Sequence, residues 1–588
     1  MAALVKIGAK KTGAWLVRHA LEQLPISHTF GIPGVHNTEI YDELAKSESI
    51  DPVLVTHEGG ASFIADAISR TGGGRIGCLV IVPAAGVTHA MSGIGEAFLD
   101  GIPMLIISGG IRGDGEFGYQ LHELDQVELL RGVTKGAYRV KRHEDVVPII
   151  YEAYHRAVTG VPGPTFVEIP YDVALFQKKI DAVPAFVPPE LPTFHDDALI
   201  EEAARLLAKA KRPGIFVGWG AVDVSREVEA LAELLGAPVS TTLQGMSAFR
   251  GSHPLHAGMG FSPAAVPAAT EAFEGCDCLL AIGTRFGEIP TGSYGCKVPK
   301  DLVHVDIDPA VIGRNYPAKI GLVGDARVIV PRLLEATRRA SSSNLKRRAR
   351  VEALIEKQKR AYFESWVAHA KTNDRVSPAL FFAELRAQLD DDAIMAVDDG
   401  NHTFLAAELF EVRTPRSFIS PTDFNCMGYC VPAAIGAKLA NPSRQVVGVV
   451  GDGAFLMTAM EILTATTEGA GVVYFVFHDG ELSQISQGQE IPYNRKTCTI
   501  LGEVRLEGIA IATGARYLRI DRNEEIADRI REALATAERK QPVIVDVRID
   551  YSKRTRFTQG VVSTVLRRFP LGDKARFIGR AFVRKVTG

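Results

Sequence analysis

VVGVVGDGAFLMTAMEILTATTEGAGVVYFVFHDGEL, residues 446–482, holds two runs rich in β-branched residues, joined by a stretch with the apolar spacing of a helix. The first run ends in Gly451-Asp452-Gly453 and the second in His478-Asp479-Gly480-Glu481. A strand, a glycine turn and a helix start place backbone N–H groups where they can cradle a phosphate. Neighbouring parallel strands would also bring Asp479 beside Asp452. Two carboxylates at adjacent strand ends, helped by a carbonyl such as that of Glu481, make a cage for Mg²⁺ or Ca²⁺, which prefer hard oxygen ligands. A lone Gly-Asp-Gly is also an ordinary turn, and a lone aspartate an ordinary cap. The pair is what points to a metal-bound phosphate.

The same alternation of short strands and helical patterns runs outward in both directions. PVLVT (52–56), GCLVIV (77–82), PMLIIS (103–108), GIFVG (214–218), CLLAIG (278–283), LVHVDI (302–307) and VIVDVRI (543–549) join the two strands above. Such a pattern reads as an α/β fold of parallel sheets covered on both faces by helices. The chain of 588 residues exceeds the ~250–300 at which a single core stops growing. Two interruptions divide it: the proline-rich VPAFVPPELPTF (183–194) reads as a linker, and RRASSSNLKRRARVEA (338–353) as a polar, basic connection. Three doubly wound units are expected, over residues 1–182, 195–337 and 366–550, followed by a basic tail at 551–588. That tail is either a solvated extension or a flap over an anionic ligand.

Composition narrows the function. Lysine and arginine number 66 against 69 acidic residues, so no field of one sign steers the chain to nucleic acid or an anionic membrane. A small polar metabolite is the better partner. Seven scattered cysteines, with neither CDC (276–278) nor CMGYC (426–430) completed to a zinc site, fit reduced thiols and a cytoplasmic protein. The N-terminal stretch MAALVKIGAKKTGAWLVRHALEQL has apolar residues at helical spacing interrupted by Lys6, Lys10, Lys11 and Arg18, which is not a signal-peptide core. No stretch reaches the ~18 apolar residues of a membrane span.

Gly-Asp-Gly, a helix, then a strand ending in an acid or asparagine is the thiamine-diphosphate motif, and 26 residues separate Asp452 from Asp479 here as that motif requires. Through it, and along nearly its whole length, the chain resembles the acetohydroxyacid synthase (acetolactate synthase) family. The family usually has asparagine at Asp479. The resemblance implies thiamine diphosphate and Mg²⁺, with Asp452, Asp479 and Glu481 at the metal and Gly451, Gly453, Ala454 and Leu482 around the cofactor. It assigns Glu58 in VLVTHEGGASFIADAISR (53–70) to cofactor activation, since a carboxyl group bonded to the pyrimidine ring nitrogen promotes the reactive form. Gly59, Gly60 and Ala61 after it leave room for a flat ring. Gly400, Asn401 and His402 resemble the diphosphate contacts, Met427 the methionine that bends the cofactor, and Pro33 in FGIPG and DIDP (306–309) also match. In that family the activating glutamate and the metal site meet across subunits, so a homodimer or homotetramer is implied.

The substrate pocket departs from the family. Pro83-Ala84-Ala85-Gly86 replaces the usual serine-glycine-proline-glycine turn, with His89 after it; Gln120 and His122 stand in YQLHELDQ, where a glutamine normally precedes the acidic pair; Lys135 is retained; Gly488 takes the place of a tryptophan. His89 and His122 are proton-shuttle candidates, and Gln484 and Gln487 are candidates to hold a substrate carboxylate. The middle unit resembles one that binds FAD without redox use in some members, but its Gly218-Trp219-Gly220 and GTRFGE (283–288) lack a full GxGxxG fingerprint; FAD stays open. The expected reaction is decarboxylation of pyruvate and condensation with a second 2-oxo acid. A decarboxylase or lyase with another donor or acceptor, and more remotely a non-catalytic scaffold, are the alternatives.

Overall fold

The computed structural model describes residues 3–341, 343–370, 374–568 and 570–587. Ser342 of the basic connection and Phe569 and Gly588 of the tail lie outside them. The chain opens with strand β1 (Leu4–Thr12), lays down β2 (His28–Gly31), β3 (Asp51–Leu54), β4 (Gly77–Ile81), β5 (Met104–Gly110), β6 (Gly136–Arg139) and β7 (Pro164–Pro170), and ends its first unit with β8 (Gln177–Pro184). Strands β2 to β7 form one parallel sheet in the order β3-β2-β4-β5-β7-β6. β8 returns antiparallel to β1. Helical spacing was the expectation for the N-terminal stretch, and only Gly13–Leu21 is helix. The residues before it become a strand because their partner lies over 160 positions away, where no local pattern reveals it.

The second sheet holds β9 (Pro213–Val217), β10 (Val239–Thr241), β11 (His256–Met259), β12 (Cys278–Ile282), β13 (Asp301–Asp306) and β14 (Ile320–Val323), ordered β11-β10-β9-β12-β13-β14. The third holds β15 (Ile394–Val397), β16 (Phe418–Ile419), β17 (Val446–Gly451), β18 (Val473–Phe477), β19 (Arg516–Ile520) and β20 (Val543–Val547), ordered β16-β15-β17-β18-β20-β19. Numbered within their own units, the first and third sheets share one strand order, and the second has the order of a Rossmann sheet. Alternate residues of each strand enter separate cores on opposite faces. In β18, Val473, Phe475 and Phe477 join one cluster while Tyr474 and Val476 join the other.

One helix ties the first and third units together. Glu58–Thr71 is buried along its full length and crosses the helix Cys430–Ala440 so closely that a Cβ on Gly436 would stand 2.2 Å from the Ile64 carbonyl oxygen. Phe63 and Ala67 belong to the core of the third unit while Ala61, Ile64 and Ile68 belong to the first. The basic connection is largely helical, between helices Ala326–Ala340 and Leu345–Ala370. Two helices, Arg556–Arg568 and Leu571–Thr587, make up most of the tail.

Candidate active site

Pairing of Gly451 with Phe477 brings the ends of β17 and β18 level, and both metal candidates sit just past them. Asp452 is buried; its Oδ1 accepts from the Gly453 amide at 2.8 Å and its Oδ2 from the Gly480 amide at 2.7 Å and the Asp479 amide at 3.3 Å. Burial pushes its carboxyl upward against those hydrogen bonds. Asp479 is pushed up to about 6 by burial, with Ser483 opposing and the charge of Asp452 adding to the rise. The Ser483 hydroxyl donates to Asp479 and so fixes it. Two neighbouring carboxylates in a half-dry site, the charge of Asp452 adding to the rise of Asp479, are a donor set for a divalent cation. The Glu481 side chain, by contrast, takes both its oxygens to Lys496, at 2.9 and 2.7 Å, so only its main chain is left to face the ion. Among the described residues no three His, Cys, Asp or Glu side chains gather as a metal cluster.

Behind the aspartates lies a cradle for the rest of the cofactor. β15 leads into Asp398-Asp399-Gly400, and Asn401 starts a helix. Asp398, pushed up to about 7 by burial, accepts from the amides of Gly428 at 2.9 Å and Cys430 at 2.7 Å and so anchors the loop carrying Met427. Met427 is half-buried against the core of this unit. His402 is buried, pulled down to about 3 by burial, and its Nε2 has no partner. A Cβ on Gly400 would approach the imidazole to 2.6 Å and one on Gly451 to 3.2 Å. A neutral imidazole with an orphaned nitrogen, flanked by two glycines, suits a bound polar group. On Gly453, a Cβ would meet Leu482, and Ala454 is buried beneath. These residues fit a diphosphate with its divalent cation.

On the first sheet, Glu58 opens the helix that follows β3, one residue after the N-cap His57. It is 5% exposed, and its Oε2 lies 3.0 Å from His89 Nδ1. Gly86 faces the other oxygen, where a Cβ would stand 3.3 Å away. Ala84, just before, holds φ +53°, a left-handed conformation that costs a non-glycine residue on the order of 1–3 kcal/mol. The side-chain oxygen of Gln126 accepts from the Ala84 amide at 3.3 Å and steadies the turn.

The substrate-loop candidates fall into separate groups. His122, at φ +67°, points its Nδ1 at that of His36, 3.2 Å away, in the loop region that also carries the exposed Pro33. The Gln120 amide group donates to the Arg112 carbonyl at 3.2 Å. Gln484 has a buried Oε1 without a partner and is free to receive a donor, while Gln487 reaches toward the Tyr551 carbonyl at 3.5 Å. Lys135 is not brought to them. It precedes β6, at the amino edge of the sheet, whereas Glu58 follows the carboxyl end of β3; its ammonium donates to the carbonyls of Arg156 and Thr159 at 2.5 and 2.6 Å, at the end of the Val146–Val158 helix. Its task there is to cap a helix. Burial, then Arg156, lowers it to about 8.

Sequence reading passed over His478 and Asp398. His478 links Asp546, 3.0 Å from its Nδ1, to Asp452, 3.8 Å from its Nε2. Its ring is held above its ordinary value by the hydrogen bond to Asp546. Position next to Asp479 at a strand end was the available signal for the first, and the run Asp398-Asp399-Gly400 for the second.

Three descriptions of thiamine pyrophosphate enzymes match in chain order: the N-terminal TPP binding domain at residues 11–129, the central domain at 200–333 and the C-terminal TPP binding domain at 398–547. The acetolactate synthase large subunit of Corynebacterium glutamicum is 33% identical over 91% of this chain and 86% of its own. A probable acetolactate synthase large subunit of Methanocaldococcus jannaschii is 31% identical over 92% of each chain, and the chloroplastic acetolactate synthase 1 of Zea mays 30% identical over 92% of this chain and 86% of its own. With the three domains in order and this coverage, the chain belongs to the acetolactate synthase family of thiamine-diphosphate enzymes.

Proposed function

We propose that the protein decarboxylates pyruvate and joins the resulting two-carbon unit to a second 2-oxo acid. The observation that carries this is the joint presence of a buried Glu58 at the edge of the first sheet and the Asp452–Asp479 pair at the edge of the third. Bound thiamine diphosphate supplies the electron sink for the carbon that loses CO₂. Glu58 holds and exchanges the proton that sets the cofactor's reactive form. Asp452 and Asp479 bind the Mg²⁺ that carries the diphosphate, and Met427, on the loop held by Asp398, supports the ring system. Gln484 is placed to receive a donor from substrate.

A second copy of the chain belongs to this reading, in a homodimer or homotetramer with the sites between subunits. Leu456, Met457, Met460 and Leu463 follow Asp452 directly and are 44, 57, 50 and 44% exposed, an apolar surface beside the metal edge that a subunit would cover. FAD without a redox role comes from the resemblance alone. The central glycines are accounted for by packing, since a Cβ on Gly218 would stand 2.1 Å from the Gly283 oxygen. A cytoplasmic location accords with seven unpaired cysteines, and no helix among the described residues is long and apolar enough to cross a membrane.

The test is CO₂ and acetolactate formation from pyruvate with thiamine diphosphate and Mg²⁺, for the parent and Glu58→Gln. Acetolactate from the parent, with a loss on the order of 10²-fold or more in the variant, is the expected result. CO₂ without acetolactate would replace the synthase reading with a decarboxylase or a lyase using another acceptor.

A further inference from the structure

A buried carboxyl group that gains and loses a proton in each turnover needs a route to water. Glu58 has its side chain 7% exposed, and among the described residues His89 is the group hydrogen-bonded to its carboxylate. Other ionisable groups around it are engaged elsewhere. The Tyr41 hydroxyl donates to the Val80 carbonyl at 2.8 Å. Glu461, which faces the same helix start, accepts from the Thr56 amide and hydroxyl and from the Thr464 hydroxyl. Among the described residues neither is hydrogen-bonded to Glu58.

His89 differs from both. Its side chain is 49% exposed, and Nδ1 stands 3.0 Å from Glu58 Oε2. The His57 ring stacks on it with centroids 4.6 Å apart and planes 25° from parallel. His57 is itself fixed, because its Nδ1 accepts from the Gly59 amide at 3.0 Å. Gly59 has to be small here: a Cβ would stand 2.9 Å from that Nδ1 and 3.3 Å from the His89 carbonyl oxygen. The strained turn at Ala84 starts the helix that delivers His89, one turn on, to this place.

We propose that His89 is the proton exit of Glu58, a positioning residue that acts through the carboxyl group rather than on substrate, with His57 as the plate that fixes its ring. The hand-off balances within the pair. Glu58 gives the proton of its O–H to Nδ1, the ring releases the proton on Nε2 to water, and the carboxylate and a neutral imidazole remain; the return runs in reverse. The proposal rests on Glu58 being the activating carboxyl group, and it assigns His89 a task other than shuttling protons to a substrate alkoxide.

Two measurements test it. In the cofactor-free protein, nitrogen-resolved NMR of the His89 ring should show the proton on Nδ1 in the parent and its loss from that nitrogen in Glu58→Ala. The same tautomer in both proteins would overturn the pairing. In the loaded enzyme, His89→Asn keeps a donor toward Glu58 but has no second nitrogen to reach water, so kcat should fall on the order of 10²-fold with KM unchanged. His89→Gly should recover activity when imidazole is added, and the parent should not respond. Parental kcat in His89→Asn, or no response of His89→Gly to imidazole, would overturn the relay. Thermal stabilisation of the parent by thiamine diphosphate and Mg²⁺ separates the two ideas: without it the proposed function fails, whereas with it a parental His89→Asn defeats the relay alone.

Discussion

At the proposed metal edge, burial raises both aspartates, and Asp452 is in addition held by amide donors that an asparagine could not satisfy. Asp452 is satisfied in the apoprotein by three amides, from Gly453, Asp479 and Gly480. Asparagine there would turn an amide group toward N–H donors, so Asp452→Asn should destabilise the metal-free protein by about 1–3 kcal/mol. Asp479 has its folded value raised from 3.8 to about 6, first by burial. A raised carboxyl makes folding less favourable as pH rises. The penalty is absent below the unfolded value, grows between about pH 4 and 6, and is complete above that window. Asp479→Asn removes it and should stabilise the apoprotein by on the order of 1–3 kcal/mol at pH 8, with a gain that shrinks toward zero by pH 4. Thermal midpoints of the metal-free variants across that range check both signs, and stabilisation by Asp452→Asn would refute the hold of the amides on Asp452. Both aspartates were legible in sequence because strand ends and glycine turns are local signals. His478 was not, since its value depends on Asp546, 68 positions on, which only the sheet brings to it.

Among elements, the tail shows how an end of the chain is tied down. Glu408, near the end of the Asn401–Leu409 helix, accepts from the amides of Phe557 at 2.8 Å and Arg556 at 3.1 Å and from the Tyr362 hydroxyl. It thus caps the first tail helix from outside, while Phe557 stacks on Phe404 with centroids 4.1 Å apart. The second tail helix reaches the segment after the metal strand, where Asn494 donates to the Arg584 carbonyl at 3.2 Å. Loss of a cap costs about 0.5–2 kcal/mol, which multiplies the open population of the tail by about 2- to 30-fold. Glu408→Ala should therefore speed proteolytic cleavage between Tyr551 and Arg556 by that factor, and an unchanged cleavage rate would show that the cap does not hold the tail. Sequence reading gave all nine quoted strands their place within a residue or two, because strands buried on both faces are short, continuous and apolar. It left out the other eleven, β1, β2, β6, β7, β8, β10, β11, β14, β15, β16 and β19; of these, the polar β1 and β8 become strands only through each other, over 160 positions apart in the chain.

The whole molecule converges on Arg70, in the helix shared by the first and third units. Arg70 is fully buried between Asp66, at 2.6 Å, and Asp100, at 2.9 Å. The Tyr429 hydroxyl from the third unit donates to Asp66 at 2.7 Å, and Trp219 from the second lies 5.9 Å from the guanidinium. Beside them Glu96, raised to about 9 by burial and then by Asp100, accepts from the amides of Thr422 and Cys426 on the Met427 loop. None of this could be read locally, since ordinary charges in a helical pattern look solvated until three units close over them. Removing one partner of a buried ion pair costs about 3–5 kcal/mol because the other charge is left unpaired. Arg70→Met should therefore lower stability by that amount and, because it strips two carboxylates at the point where the units meet, detach the unfolding of the first unit from that of the third. Restoring neutrality tests whether charge or packing is responsible. Arg70→Met combined with Asp66→Asn and Asp100→Asn should recover most of the loss in urea unfolding followed by tryptophan fluorescence, since well-packed neutral replacements of buried ion pairs are often tolerated. A triple variant as unstable as Arg70→Met alone would instead assign the junction to the shape of the arginine, packed between the rings of Tyr429 and Trp219.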